Sequence, residues 1–366
     1  MHVTLLRAHP QSAPSMKRVT QAMHHYLPVP CEIRYVSPRP PAILRWRVPA
    51  AAIHVLYVLC TQRYLQHLAA RLPRCDVLHL VDHSESFLLP VTSANRKVVT
   101  CHDLIPLVLE NIYRHSLSRQ LGRWLYRTTV KHIACADVII TCSRATASDL
   151  ERLLSIPAQK VKTVYNGVDT GFFTLLPDDL RQRKRETLGF QPHETAILHA
   201  GSNAPYKNIP AVLRTVAHLR HSGHPVRWVK AGQSLPAPYQ RLARELDIAD
   251  CIQVEADIDD IRLRDLYQSC DVLLFPSWRE GFGLPVLESL ACGTPAVIAD
   301  TPALNEWAGK VCPGAPPSDV PSLAEKVLLS VEESRSPVAR ARLREFALQF
   351  DWRTIARQIA GVYAQE

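Results

Sequence analysis

Short apolar runs alternate with amphipathic stretches along the whole chain, the pattern that βαβ units and parallel sheets leave in a sequence. In the first half HVTLLRA, CEIRYV, DVLHLV, KVVTCH, DVIITC and VKTVY read as strands. SMKRVTQAMHHYL and SRATASDLERLL read as helices, the second opened by Ser143 as N-cap. The pattern restarts with the strands TAILHA, PVRWVKA, CIQVE, DVLLFP and PAVIAD, separated by helices around NIPAVLRTVAHLR, PYQRLARELD and DIRLRDLYQSC. The stretch from Asn166 to Thr195 lacks strong periodicity, which places the domain linker there. The expectation is an α/β protein of two doubly wound domains of similar size, facing across a cleft, with ligands at the carboxyl ends of the strands.

Composition narrows this. A chain of 366 residues fits two domains, and 47% hydrophobic against 21% charged residues excludes a disordered or fibrous class. The first of only 13 glycines is Gly122. No glycine-rich phosphate loop can therefore follow the early strands, which removes a nicotinamide-dependent oxidoreductase. The ten cysteines form no C-x-x-C and sit mostly in apolar runs, as in VVTCHD and LACGTP, so they read as small buried hydrophobes in a reducing cytoplasm. The apolar run before Arg7 is too short for a signal peptide, and Val48 to Cys60 falls short of the roughly 20 residues of a spanning helix. A soluble or peripheral protein is expected.

Charge is uneven. Up to Thr170 there are 21 Lys and Arg against 10 Asp and Glu; beyond it there are 22 against 24. A basic first half beside a near-neutral second half suits an anionic partner. Arg45, Arg47, Arg63, Arg71 and Arg74 flank the apolar run, and Arg114, Arg119, Arg123, Arg127 and Lys131 recur along one predicted helix. Such mixtures favour an anionic membrane surface, here the inner face of the plasma membrane, with a lipid-linked or membrane-associated glycan acceptor. Nucleic acid is not expected, because no recognition motif accompanies the charge.

Three strand-to-helix junctions carry chemistry. In LFPSWREGFGLPVLESL a strand ends at Pro276 and a helix starts near Pro285. Gly281 and Gly283 let the backbone approach a ligand, and the N–H groups of Gly283, Leu284 and Val286 at the helix start suit a diphosphate. Glu280 and Glu288, eight positions apart, are good acceptors for vicinal sugar hydroxyls and would bracket that diphosphate. In LHAGSNAPYKN a turn at Gly201 precedes Lys207, which can reach a phosphate as a point charge, with Ser202 and Asn203 as neutral partners. In VVTCHDLIPL, His102 at a strand end is a hydrogen-bond donor or a base.

At these residues the chain resembles the retaining glycosyltransferases of family 4, also called glycosyl transferases group 1, which have the GT-B fold. EGFGLPVLE matches the family's E-x7-E signature, GSNAPYKN its phosphate-binding segment, TCHDLIPL its acceptor-domain histidine segment, and YNGVD its interdomain strand end. The resemblance covers essentially the whole chain and is densest from Ile197 to Glu306. It implies an acceptor-binding domain over 1–170, a nucleotide-sugar-binding domain over 171–348, and a terminal helix over 349–366 that packs back on the first domain.

By the same resemblance Lys207 would hold the donor diphosphate with the amides of Gly283, Leu284 and Val286, in a cradle that also includes Ser202, Asn203, Gly281 and Phe282. Glu280 would bind the transferred sugar, Glu288 the ribose, and Ile258 would lie against the base. His102 would face the sugar from the first domain. The implied catalytic set is Glu280, Lys207 and His102. The implied reaction is transfer from a UDP- or GDP-sugar with retention, without a metal or other cofactor. Two departures stand out: Ser202 and Asn203 occupy the region where members often carry an arginine, and the loop Ala8 to Met16 has no glycine. Competing readings are a catalytically idle nucleotide-sugar binder and, less well supported by E-x7-E, a nucleotide-sugar epimerase.

Overall fold

The computed structural model of the protein describes residues 1–8, 14–37, 50–110 and 117–364. It divides into two compact units, one of Met1–Gly167 with Trp352–Glu366, the other of Val168–Asp351.

The first unit holds a six-stranded parallel sheet of β1 (Val3–Arg7), β2 (Cys31–Tyr35), β3 (Cys75–Leu80), β4 (Ala94–Cys101), β5 (Val138–Thr141) and β6 (Val161–Thr163), in the order β2-β1-β3-β4-β5-β6. Each central strand is a nearly continuous apolar run because helices cover both faces of a parallel sheet. Leu6, Leu78, Leu80, Val99 and Ile139 are buried in one continuous cluster. Ser143 caps the helix Arg144–Leu154 by accepting from the Thr146 N–H. The terminal helix Trp352–Ala364 belongs to this unit, and Tyr363 anchors it by a 2.6 Å hydrogen bond with His79 of β3. The strand order reverses between β1 and β3, where Arg7 meets Asp82 and Glu85. Burial, and then Asp82, raise the Glu85 carboxyl to about 7, while its Oε2 accepts the Ala8 N–H at 2.9 Å. Residues 9–13 of the glycine-free loop, Arg45, Arg47 and Arg114 lie outside the described residues.

The second unit repeats the design with β7 (Thr195–Gly201), β8 (Val226–Gly232), β9 (Ile252–Ala256), β10 (Val272–Phe275), β11 (Ala296–Ala299) and β12 (Gly314–Ala315), ordered β12-β11-β10-β7-β8-β9. All pairs are parallel, and Ile197, Trp228, Val272, Leu274 and Val297 lie in its core. The eleven strands expected from periodicity are present. The two-residue β12 was not expected.

The two units divide between Gly167 and Val168, inside the stretch expected to hold the linker, but most of that stretch is part of the second unit. Within Asn166 to Thr195 the helix Asp178–Thr187 packs on the second unit. Its sequence DDLRQRKRET has almost no apolar face, so hydrophobic periodicity cannot reveal it. Ion pairs hold it instead: Arg181 and Arg185 both reach Asp271, at 2.8 and 2.9 Å, and Arg340 reaches Asp178.

Two buried histidines tie this fold to pH. Burial, then the nearby His102, lower His79 to about 3; burial, then Lys230, lower His199 of β7 to about 3. Both start from 6.5 in an unperturbed chain. At these two sites the unfolded state thus binds more protons between about pH 6.5 and 3, so their contribution is complete above that window and falls as pH drops through it, two groups against the single Glu85 whose raised pKa works the other way. Thermal melts are expected to shift downward steadily below about pH 6.5; a melting temperature unchanged down to about pH 4 would contradict it.

Candidate active site

The strand order of the second unit reverses between β10 and β7, because β7 leads to β8 on one side and β10 to β11 on the other. Loops leaving such neighbouring strand ends diverge and open a crevice, which is where doubly wound sheets bind ligands. The loop after β7 carries Ser202 to Asn208, and the loop after β10 carries Pro276 to Gly283. Asn208, in the left-handed conformation at φ 57°, joins them: its Nδ2 donates to the carbonyls of Pro276 (3.0 Å) and Pro317 (2.7 Å). The Trp278 N–H donates to the Tyr206 carbonyl at 2.8 Å.

Lys207 and Glu280, 73 positions apart, meet here. Lys207 Nζ donates to Glu280 Oε1 at 2.7 Å, and both side chains are about nine-tenths buried. The ammonium also lies 4.7 Å from the Phe275 ring centroid and 5.2 Å from that of Tyr206, within range of cation–π attraction. Its stem runs close over Gly201, where a Cβ would come within 3.6 Å of Lys207 Cε.

Gly283 is the N-cap of the helix Leu284–Ala291, at φ 93°. The N–H groups of Gly283 and Leu284 have no protein acceptor among the described residues, Pro285 has none to offer, and the positive end of the helix dipole lies with them. The expectation for Val286 is corrected: its N–H donates to the Gly283 carbonyl at 2.9 Å, closing the first turn, so it does not face a ligand. Phe282 sits in the same loop. Its ring stacks on Trp307 at 4.6 Å, and its carbonyl accepts from Trp307 Nε1 at 2.9 Å, which turns the side chain into the core.

Glu288, one turn on, is buried, and its Oε2 accepts the Tyr267 hydroxyl at 2.9 Å. Ser202 Oγ accepts the Ala204 N–H at 3.4 Å, and Asn203 bonds to Gln233 and to the Ser234 carbonyl, so both shape the loop. Ile258 sits in the short loop between β9 and the helix Asp260–Ser269. A buried cation, two free amides, a carboxylate beside them and a second one a turn away together suit an anion flanked by hydroxyl-bearing groups. Tyr267, Asn208, Phe275 and Lys230 were not singled out from sequence, because their roles depend on partners distant in the chain.

In the first unit His102 directly follows β4 and is buried, and burial, then His83, lower its pKa. Its Nε2 donates to the Val81 carbonyl at 2.8 Å, which fixes the proton there. Nδ1 is left as an acceptor, buried and without a partner among the described residues. His83 Nδ1 accepts the His102 backbone N–H at 3.3 Å, and its Nε2 pairs with the Tyr126 hydroxyl at 2.9 Å. His102 is thus held to present one lone pair.

Two doubly wound units, the second with an anion site of this kind, define a GT-B scaffold. Residues 15–172 match the family model "Glycosyltransferase Family 4" and residues 181–347 match "Glycosyl transferases group 1". The chain belongs to this family of group 1, family 4 glycosyltransferases.

Among its relatives, D-inositol 3-phosphate glycosyltransferase 2 of Catenulispora acidiphila is 32% identical over 64% of this chain and 57% of its own length. O-antigen chain mannosyltransferase B of Escherichia coli is 25% identical over 79% of this chain and 75% of its own. The chain thus spans little more than half the length of the first of these. Among solved structures, Anabaena HepE in complex with UDP and glucose superimposes with a TM-score of 0.73 at 17% identity, over the full length of both chains.

Proposed function

We propose that the protein transfers a sugar from a nucleotide-sugar donor to a hydroxyl of a glycan acceptor, with retention and without a metal. The observation that carries this reading is the Lys207–Glu280 pair beside the free amides of Gly283 and Leu284, at the switch point of the second sheet. Lys207 and these amides hold the donor diphosphate. Glu280 keeps one carboxylate oxygen for hydroxyls of the transferred sugar, Glu288 accepts from the ribose, and Ile258 lies against the base. His102 accepts a sugar hydroxyl through Nδ1. As the bond from the anomeric carbon to the diphosphate breaks, its electron pair goes to the departing phosphate oxygen. The acceptor hydroxyl bonds to the same face of that carbon and gives its proton to the departing phosphate. Positive charge already placed at that phosphate is the reason no divalent ion is needed.

Relatives named for inositol phosphate and O-antigen chains, and a structural neighbour holding UDP and glucose, agree with a UDP- or GDP-sugar and a glycan acceptor. NMR of the product's anomeric proton, in EDTA, tests the reading: an axial donor is expected to give an axial product at undiminished rate. An inverted product, or activity lost in EDTA and restored by manganese or magnesium, would refute it. Glu288→Ala is expected mainly to raise the KM for donor, because the ribose is remote from the reacting bond. A variant with unchanged KM and reduced kcat would remove Glu288 from ribose binding.

The same reading places the protein on the cytoplasmic face of a membrane. No helix among the described residues is long and apolar enough to cross one. In the first unit Leu59, Tyr64 and Trp124 are exposed large apolar side chains, with Arg63 and Arg127 exposed on the same two helices, Ala50–Ala69 and Leu117–Val130. Partly inserted aromatic and aliphatic side chains beside cations bind anionic headgroups. Co-sedimentation with phosphatidylglycerol vesicles is expected to weaken with salt and with Trp124→Ser. Binding indifferent to anionic lipid and to salt would contradict it.

A further inference from the structure

A second lysine lies beneath the candidate site. Lys230 is on β8, paired in register with His199 of β7 and Val254 of β9, and is fully buried. Its Nζ donates to the carbonyls of Gly201 (2.7 Å) and Ala231 (3.0 Å), and among the described residues no carboxylate reaches it. A buried cation without a counter-charge is costly and is retained only where something offsets it.

The peptide it grips is Gly201, the hinge between β7 and the loop that ends at Lys207. Gly201 and Gly232 both have positive φ, at 146° and 114°, and a Cβ on Gly232 would come within 2.7 Å of the Gly201 carbonyl oxygen. The two strand ends therefore pack backbone to backbone, with Lys230 Nζ closing the contact. The Lys207 stem packs against the same residue, where a Gly201 Cβ would come within 3.6 Å of Lys207 Cε. Around Lys230 the charged or titratable groups are Lys207, whose charge Glu280 engages, and His199, whose Nδ1 donates to the Leu274 carbonyl and whose buried Nε2 is unpartnered.

We propose that Lys230 is a positioning residue of the anion site: it fixes the Gly201 peptide that carries the Lys207 loop, and its uncompensated charge is offset when a nucleoside diphosphate binds. This rests on the donor reading given above. It explains why a cation is kept where a leucine or methionine would pack at lower cost. It also makes ligand binding and protonation two views of one equilibrium. Burial, then Lys207, lower the Lys230 pKa to about 8, so part of the empty protein is deprotonated there near that pH. An arriving diphosphate anion favours the charged form, raises that pKa, and draws in a proton.

The test is calorimetric titration of the full chain with UDP and with GDP at pH 8, in two buffers of different ionisation enthalpy. At that pH both nucleotides are already fully ionised, so proton uptake reports on the protein. Wild type is expected to take up about half a proton on binding, given a group half-ionised at the working pH. Lys230→Met is expected to bind several-fold more weakly with the uptake abolished, and Lys230→Arg to keep affinity closer to wild type. Binding by wild type with no proton uptake would overturn the role of Lys230, as would uptake that persists in folded Lys230→Met. If Lys230→Met does not fold, the wild-type uptake and Lys230→Arg decide. Failure of wild type to bind either nucleotide overturns the donor reading itself.

Discussion

Lys207→Met is expected to lower turnover by about 10²–10³-fold, the cost of losing one preorganised contact to charge that develops in the transition state. Negative charge accumulates on the diphosphate as the glycosidic bond breaks, so the ammonium stabilises the transition state more than the bound donor. The structure adds a second effect. Lys207 and Glu280 form a buried pair, so removing the lysine leaves the Glu280 carboxylate buried alone. Breaking such a pair costs about 3–5 kcal/mol, and a loss of activity could then reflect instability alone. The double variant Lys207→Met, Glu280→Gln separates the two, because it removes both charges. It is expected to recover most of the melting temperature while turnover stays low. Recovery of turnover together with stability would mean that the pair only holds the fold.

Gly283→Ala is the second large effect. At φ 93° a side chain is strained, at about 1–3 kcal/mol. A Cβ there would also lie 2.6 Å from Leu304 Cδ2, and Leu304 is fully buried on the helix Pro302–Trp307, with little room to retreat. Overpacking of that kind adds a similar amount. Relief requires the start of the helix Leu284–Ala291 to shift, which re-aims the Gly283 and Leu284 amides. The melting temperature is expected to fall by several degrees and nucleotide affinity to drop at least tenfold, a loss of about 1.4 kcal/mol or more. A Gly283→Ala protein that melts lower yet binds UDP or GDP as wild type does would show that these amides do not hold the ligand.

The sequence was most legible where one rule dominates. Buried parallel strands are continuous apolar runs, so β1 to β11 were readable, and positive-φ glycines marked a strand end at Gly201 and a helix start at Gly283. Illegible features were those made by partners far apart in the chain or by charge rather than apolarity. The helix Asp178–Thr187 is secured by Asp271 and Arg340, neither of them near it in sequence. Val286 was misjudged because whether an amide at a helix start is free depends on how tightly the first turn closes, a matter of backbone geometry. The packing of Phe282 was hidden because its neighbour in space, Trp307, lies 25 positions on. Lys230 looked like one more strand residue until its partner, the Gly201 carbonyl, was in place.

The central claim is that the second unit's switch-point site cleaves a nucleotide sugar and passes the sugar on. Release of nucleoside diphosphate from UDP-, GDP- and ADP-sugars, followed for wild type and for the Lys207→Met, Glu280→Gln double variant at equal folded concentration, tests it most directly. Wild type is expected to release nucleoside diphosphate from at least one donor, and the variant to do so about 10²–10³-fold more slowly. A wild-type protein that binds a nucleotide sugar and leaves every donor intact, or a variant that turns over donor at the wild-type rate, would contradict the account.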